Sequence, residues 1–480
     1  MADPVPGLVK LVKGIEQKDV PAYFGLVDFD RLLKTTVSLC PVCLAHVPAV
    51  VFTRSGKVYL ERKCSTHGGA LALLENDERY YHLSNKDRSG EGYAPDRLAP
   101  IPEYESDCCG PGGDCTDQWG NKTCTVLVEV TDACNLACAV CYSDSKGDRF
   151  LPFEQFKAHL DELATKKKGL DSVQITGGEA TLHPQYWQML AWICARPDIK
   201  KIYLPTNGLL LSKPGMVEKL IPYRDRILVL LQFDDLGEGT PTLRNANPVK
   251  QRLALVESCS RHQIPMQLTM TLSQGVNERQ VGEVVALAAK HEHVKVVAMQ
   301  PATWSGRYDL GLDPLNRLTL SDLVKATMAQ TPRLKGKESD FVPIPCSHPN
   351  CGWITVYVRR FGWMTNLVRY VDLAKVMNSV SYKTTMSTDQ IRDTVSDQPS
   401  LPKRAVAWLG SRFVRSTDTF TVAIKPFMDR YTYDQDRIAN CCHHLLDTNG
   451  QPVSFCEYNA RLRPRDSWSK FPTRAEVAAL

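Results

Sequence analysis

Residues 134–141 read CNLACAVC, three cysteines separated by three and two residues. A structural zinc site or an ordinary four-iron cluster takes four protein ligands, usually as two Cys-x-x-Cys pairs or an evenly spaced run. Three thiolates leave one metal with an open position, which is where chemistry happens rather than where a fold is pinned. The motif follows TVLVEVT (125–131), the first of six β-rich runs. The others are SVQIT (172–176), IKKIYLP (199–205), ILVLLQF (227–233), MQLTMTL (266–272) and VKVVAM (294–299). Between them lie PFEQFKAHLDELATKK, PQYWQMLAWICA and ERQVGEVVALAAKHE, with apolar residues at helical intervals. Such alternation predicts parallel strands joined by right-handed crossovers, covered on both faces as in a barrel or a doubly wound sheet. The three-cysteine loop then stands at the carboxyl end of a parallel strand, where α/β folds place their ligands.

Two further loops face the same mouth: TGGEATLHP after the second run and PTNGL after the third. Gly177 and Gly178 let a ligand approach the backbone without Cβ obstruction, and Glu179 supplies a negative charge able to hold an ammonium group. Asn207 and Gln232, at strand ends, are candidate cofactor or substrate contacts, and His183 either caps a helix or touches substrate.

With 480 residues, 43% hydrophobic and 23% charged, the chain can bury a core in two or three domains. Its net charge of +5 comes from scattered lysine and arginine, which argues against a nucleic-acid binder. The start MADPVPGLVKLVKG is a poor signal peptide, and ILVLL (227–231) is far too short to cross a bilayer, so a cytoplasmic location is the default expectation. Seventeen cysteines, an odd number, disagree with a fully paired disulfide scaffold. Cys194 and Cys259 stand alone in helix-like segments and read as small buried hydrophobes. The rest are grouped. CPVC (40–43) and CSTH (64–67) place Cys40, Cys43, Cys64 and His67 across a short hairpin-like segment, the pattern of a zinc ribbon, although spacing does not separate zinc from mononuclear iron. Cys346, Cys351, Cys441, Cys442 and Cys456, with His348 and His443 beside them, read either as ligands of at least one auxiliary cluster or as buried free thiols.

The Cys-x-x-x-Cys-x-x-Cys loop, the GGE loop and six alternating strands together resemble the radical S-adenosylmethionine superfamily. The resemblance implies a [4Fe–4S] cluster on Cys134, Cys138 and Cys141, whose open iron is chelated by S-adenosylmethionine. One electron then cleaves the sulfonium to methionine and a 5′-deoxyadenosyl radical, which abstracts a hydrogen atom. Gly177, Gly178 and Glu179 correspond to the family's contact with the methionine amino group. The residue before the last cysteine is usually aromatic in the family; here it is Val140, with Tyr142 just beyond as the candidate cofactor contact.

From about residue 30 to about 460 the chain looks like the group that includes archaeal tetraether synthase, whose founding members were first described as pterin methylases. The segments carrying this are LCPVCLAHVPAVVFTRSGKVYLERKCSTHGG, CSHPNC (346–351) and CCHHLLDTNGQPVSFCEYN (441–459). Before the first strand, DCCGPGGDCTDQWGNKTC offers Cys108, Cys109, Cys115 and Cys124 where relatives carry a tighter Cys-x-x-Cys. The implied architecture is α/β: a partial (β/α)6 TIM-like barrel at 106–305, an N-terminal zinc-ribbon or rubredoxin-like metal domain at 1–105 and a Cys-rich C-terminal auxiliary-cluster region at 306–480. The implied cofactors are the radical cluster, S-adenosylmethionine, one or more auxiliary iron–sulfur clusters and a mononuclear iron or zinc. Reduced ferredoxin or flavodoxin is the expected electron donor, and the substrate a lipid or small molecule, with peripheral membrane contact but no nucleic acid. The expected activity is C–H activation for carbon–carbon bond formation on lipid chains; the alternatives are methyl transfer to a pterin or other heteroaromatic, and peptide modification. A lipid substrate requires an apolar channel, for which AVAWLGSRFV (405–414) and FTVAIKPFM (420–428) are candidate lining, unless they simply pack the core.

Overall fold

The computed structural model describes residues 5–84, 98, 123–311, 313–344, 347–360, 363–370 and 418–478. Cys108, Cys109, Cys115, Cys346 and the segment 405–414 lie outside the described residues. Strands β1 (Arg31–Leu39), β2 (His46–Arg54), β3 (Lys57–Cys64) and β4 (Gly68–Glu75) form an antiparallel sheet in that order. The helix Val5–Lys13 covers it, placing Val5, Val9 and Val12 at helical spacing against Val37.

β5 (Thr125–Glu129) opens a larger sheet, and β6 (Val140–Cys141) is a two-residue strand inside the cysteine loop that follows it. The remaining expected runs form β7 (Leu170–Thr176), β8 (Ile199–Thr206), β9 (Ile227–Gln232), β10 (Met266–Leu272) and β11 (Val294–Pro301). After them come β12 (Arg307–Tyr308), β13 (Val342–Pro343), β14 (Trp353–Arg360), β15 (Trp363–Asn366), β16 (Thr419–Ile424), β17 (His443–Leu446) and β18 (Pro452–Ser454). The sheet order is β13-β14-β16-β11-β10-β9-β8-β7-β5-β17-β18, with β15 on β14. From β16 to β17 every neighbouring pair is parallel. The chain after 305 is therefore woven into the sheet of the core: β16 covers the edge of β11 and β17 covers the edge of β5. Left uncovered, those two edges would present unpaired backbone N–H and C=O groups.

One face of the parallel strands is packed tightly. Val128, Ile175, Leu204, Val229 and Leu268 belong to one buried cluster with Phe156 and Leu160 of the helix Phe153–Lys167 and Met189 and Ile193 of the helix Tyr186–Cys194. Each such side chain contributes about 1.5–3 kcal/mol on burial. The other face differs from the expectation of full coverage. Gln174, Leu228, Leu230, Gln232, Gln267 and Thr269 alternate with the buried set and are only half-buried. The reason is strict alternation of polar with apolar residues in β10 and part of β7, which leaves a partly open concave side. Cys194 and Cys259 are core residues, and burial pushes their thiols up to about 11 and about 12. FTVAIKPFM is core as well: Phe420, Val422 and Ile424 are fully buried in the main cluster.

The N-terminal sheet is fastened to the C-terminal region by buried polar contacts. Lys34, Thr36 and Ser38 lie on one face of β1. The Lys34 Nζ is 2.7 Å from Asp434 Oδ2 and 2.8 Å from Asp436 Oδ2. Thr36 Oγ1 donates to Asp434 Oδ1 at 2.8 Å and Ser38 Oγ to the Tyr433 carbonyl at 2.6 Å. Burial opposes the charge on Lys34, but the two carboxylates outweigh it and hold the ammonium well above the usual lysine range. We predict that Lys34→Ala destabilises the protein by about 3–5 kcal/mol in urea unfolding, because it strands two buried carboxylates. Asp434→Asn combined with Asp436→Asn should recover part of that loss; loss of only a few tenths of a kcal/mol in the single variant would show that the pair carries no such weight.

Candidate functional site

The loop after β5 is shaped by its own hydrogen bonds before any ligand is considered. Thr131 Oγ1 donates to the Arg149 carbonyl at 2.7 Å and accepts from the Ala133 N–H, while Asp132 Oδ1 accepts the Arg149 N–H at 2.7 Å. The loop after β7 packs directly on it: the Gly178 N–H donates to the Thr131 carbonyl at 2.8 Å and the Glu179 N–H to the Ala133 carbonyl at 2.9 Å. A Cβ on Gly177 would lie 2.3 Å from the Thr131 oxygen and one on Gly178 2.2 Å from the Ala133 oxygen, so these glycines admit the backbone of the cysteine loop itself. β6 pairs with β12, and the Ala139 N–H donates to the Leu243 carbonyl, pinning the far end of the loop.

Glu179 is 2% exposed. Its Oε1 accepts from the Thr181 and Thr206 hydroxyls and its Oε2 from the Asn207 N–H at 2.7 Å. Burial pushes its carboxyl up and these bonds pull it back. Asn207 reaches toward the cysteines, its Nδ2 lying 2.7 Å from Asn135 Oδ1 and 4.0 Å from Cys134 Sγ. Gln232 Oε1 accepts from Arg252 Nη2 at 2.6 Å, and Arg252 Nε donates to the Asn207 carbonyl. Tyr142 is half-buried, its ring 5.4 Å from Phe455 and 5.8 Å from Phe427 in edge-on contact. His183 caps: Nδ1 accepts from the Gln185 N–H, and Nε2 lies 2.9 Å from the Leu151 carbonyl.

Two arginines and an aspartate beneath the cysteines escaped the sequence reading. Arg244 makes a two-point bond to Asp234 at 2.6 and 2.8 Å, and its Nη1 donates to the Val140 carbonyl within the cysteine loop. Arg252 lies 3.5 Å from Asp234 and is fully buried. The one signal in the sequence was the acid pair Asp234–Asp235 directly after the fourth apolar run. Burial pushes Cys134 up to about 11 and also raises Cys138, while the neighbouring Arg244 pulls Cys138 down. Ser143 Oγ lies 3.4 Å from Cys141 Sγ. Half-buried thiols with hydrogen-bond donors beside them suit a positively charged iron–sulfur cluster, which offsets the desolvation of three thiolates.

Cys40, Cys43, Cys64 and His67 converge, with ligand atoms within 4.8 Å of one another. His67 Nδ1 is 3.6 Å from both Cys40 Sγ and Cys64 Sγ. Metal bonds of about 2.3 Å to sulfur and 2.0–2.1 Å to nitrogen in a tetrahedron require roughly 3.5 Å between those ligands, so the quartet fits a single ion. Burial raises Cys64, but N–H groups of Thr66 and His67 and the His67 ring outweigh it and bring the thiol down to about 6.

The late cysteines come together in part. The Met428 N–H donates to Cys456 Sγ, the His443 N–H to Cys441 Sγ and Arg437 Nε to Cys351 Sγ, all at 3.4 Å. Cys351 and Cys441 are near enough to Cys456 to add to burial in raising its thiol. Cys442 and Cys124 are buried neighbours through the main chain, the Cys124 N–H donating to the Cys442 carbonyl at 2.8 Å. His443 packs on Phe427 and Phe455, and burial pushes it down to about 3.

Beside the cysteine loop opens a cavity of about 420 Å³, lined by Glu129, Asp132, Ser143, Asp144, Arg430 and Arg463 among others. Among the described residues no helix is long and apolar enough to cross a membrane.

Residues 128–288 match the Radical SAM superfamily and residues 32–76 match the HMPTM N-terminal zinc ribbon domain. The chain is 25% identical to a 7,8-dihydro-6-hydroxymethylpterin dimethyltransferase of Methanocaldococcus jannaschii, across 89% of this chain and 93% of that protein. It is 27% identical to the antilisterial bacteriocin subtilosin biosynthesis protein AlbA of Bacillus subtilis, across 49% of this chain and about half (52%) of that protein. A solved radical SAM methyltransferase from Sphaerobacter thermophilus aligns with 67% of this chain and 81% of its own at 14% identity and a TM-score of 0.34. Streptococcus suis SuiB bound to its precursor peptide aligns with 44% of this chain and less than half (45%) of its own at 17% identity and a TM-score of 0.37. The superfamily match falls on the strands and loops that present Cys134, Cys138 and Cys141, so the chain carries a Radical SAM superfamily domain at 128–288 and a zinc ribbon domain at 32–76.

Proposed function

We propose that Cys134, Cys138 and Cys141 hold a [4Fe–4S] cluster with one iron left for S-adenosylmethionine, and that the enzyme uses it to activate an unreactive C–H bond. The observation that carries this reading is the single loop at the carboxyl end of β5 that presents three thiols, braced from below by the Arg244–Asp234 pair. When bound, the cluster supplies the electron that cleaves the sulfonium. The chain positions what it acts on. The 177–179 backbone and the Asn207 and Gln232 amides are the proposed cofactor contacts, Gln232 being oriented by Arg252. Glu179 keeps acceptor capacity on Oε2 for an amino group, since a carboxylate has about four lone-pair sites and the Asn207 N–H takes only one of those on that oxygen. Tyr142, directly after the last cysteine of the loop, is a further proposed cofactor contact. The region before about 105 holds the single ion on Cys40, Cys43, Cys64 and His67, zinc or mononuclear iron. The region after 305 holds at least one auxiliary iron–sulfur cluster, with Cys351, Cys441 and Cys456 among its ligands; their N–H···S contacts support this. Reduced ferredoxin or flavodoxin is the proposed electron donor, and the cytoplasm the proposed location.

For the substrate, the polar and charged cavity beside the cysteine loop supports a molecule with a polar or ionic part. Methyl transfer to a pterin or other heteroaromatic agrees with that cavity and with the similarity to the Methanocaldococcus jannaschii pterin dimethyltransferase. Carbon–carbon coupling of lipid chains is the second reading; it rests on the sequence resemblance. S-adenosylhomocysteine formed alongside 5′-deoxyadenosine in the presence of a pterin establishes the first, whereas 5′-deoxyadenosine alone, stimulated by a long-chain lipid, establishes the second.

Replacing Cys134, Cys138 and Cys141 together by alanine should remove one cluster's worth of iron and abolish 5′-deoxyadenosine formation under dithionite. Undiminished formation by that variant refutes the cluster assignment. The reconstituted enzyme should also carry clearly more than about four irons per chain, counting one full cluster. If iron stays near that value and Cys351, Cys441 and Cys456 are all alkylated in the native protein, the auxiliary-cluster assignment is wrong.

A further inference from the structure

Arg430 lines the cavity beside the cysteine loop, and it differs from the other charged groups there. Glu129 is taken by Arg463 through two bonds of 2.6 and 2.9 Å. Asp144 lies 3.3 Å from Lys146 and 3.6 Å from Arg307, and Asp132 accepts the Arg149 N–H. Arg463 is held further by Asn459 Oδ1, on the π-helical turn Tyr458–Leu462, a type of turn that often marks functional sites. The Arg430 guanidinium has no hydrogen-bond or ion-pair partner among the described residues, and its Nε is buried without one. A buried donor left unpaired costs about 1–3 kcal/mol, so its placement calls for a ligand.

The backbone under Arg430 is held on several sides. Asp429 Oδ1 accepts the Tyr431 and Thr432 N–H groups at 2.9 and 3.0 Å, while Oδ2 accepts the Trp304 N–H at 2.9 Å and an Arg317 bond at 2.8 Å. Arg62 donates to the Arg430 carbonyl at 3.2 Å. A fixed turn thus presents an unpaired cation to a cavity also lined by Ser143 and Ser145, where the Ser145 hydroxyl donates to Ser143 Oγ at 2.6 Å and leaves the Ser143 O–H as the donor. Ser143 is in contact with Cys141, so whatever fills the cavity lies against the cysteine loop.

We propose that this cavity seats an anionic phosphoryl group of the substrate, clamped by the Arg430 guanidinium and completed by the Ser143 hydroxyl. A guanidinium offers paired N–H donors that match phosphoryl oxygens, and the bond strengthens where solvent is partly excluded. The cavity exceeds what one phosphate needs, leaving room for the glycerol or heterocycle that bears it. The link to catalysis rests on the radical-enzyme reading, because only that reading makes the cysteine loop the reacting centre.

Calorimetry on the reconstituted full chain without reductant tests the clamp, with inorganic phosphate, glycerol 3-phosphate, dihexanoylphosphatidylglycerol and uncharged monohexanoylglycerol as probes. At least one phosphorylated probe should bind; Arg430→Met should weaken it tenfold or more, Arg430→Lys less, and the uncharged probe should not discriminate the variants. Tighter binding of phosphatidylglycerol identifies a lipid head as the source, and tighter binding of glycerol 3-phosphate a soluble phosphoester. The proposal is overturned if no phosphorylated probe binds the wild-type chain, or if Arg430→Met, with an unchanged melting temperature, binds as wild type does. A wild-type enzyme that binds phosphate in this way yet releases no 5′-deoxyadenosine with dithionite leaves the clamp standing and removes the radical-enzyme reading instead.

Discussion

The rest of the molecule depends on a buried ammonium held between two buried carboxylates. Lys34 comes from the first strand of the N-terminal sheet, and Asp434 and Asp436 from a short segment some four hundred residues later. Each of these charges is costly alone in a low-dielectric interior, so each is tolerable only with the others in place. That mutual requirement locks the ribbon onto the segment 429–437. The same segment carries Arg430 at the cavity, and Arg437 against Cys351. Leu39, one residue before Cys40, packs in a single apolar cluster with Met428, Tyr433 and Cys456. The N-terminal metal quartet and the late cysteines are therefore parts of one packed unit.

A second constraint acts at the three-cysteine loop. Burial opposes ionisation of Cys134 and Cys138 and raises both thiols. The chain answers with cations and donors from three strand ends: Arg244 with Asp234, Asn207 near Cys134, and Ser143 near Cys141. Arg252 ties two of those ends together by bonding both Gln232 and the Asn207 carbonyl. The rigid backing comes from glycine. With Gly177 and Gly178 lacking side chains, the second loop lies on the first at backbone distance, and Glu179 fastens it to the end of β8. Tyr142, one residue past Cys141, packs on Phe427 and Phe455, and Phe455 directly precedes Cys456, so three rings in mutual contact link this loop to the late cysteines.

Read alone, the sequence determined the six parallel strands, the loop that carries chemistry and the ribbon quartet. Strand–helix periodicity and short-range cysteine spacing are local properties, and local properties survive in a linear reading. The core cysteines Cys194 and Cys259 were legible for the same reason, from the helical pattern around them. Only the tertiary structure decided what covers the sheet edges, since β16 and β17 come from far along the chain and nothing in their sequences names β11 and β5 as partners. It also decided what the glycines are for, that Tyr142 packs on Phe427 and Phe455, and that Lys34, Arg244, Arg252 and Arg430 matter. Those roles depend on which distant group a charge meets once water is excluded. Burial and charge pairing exist only when residues remote in sequence have been brought together.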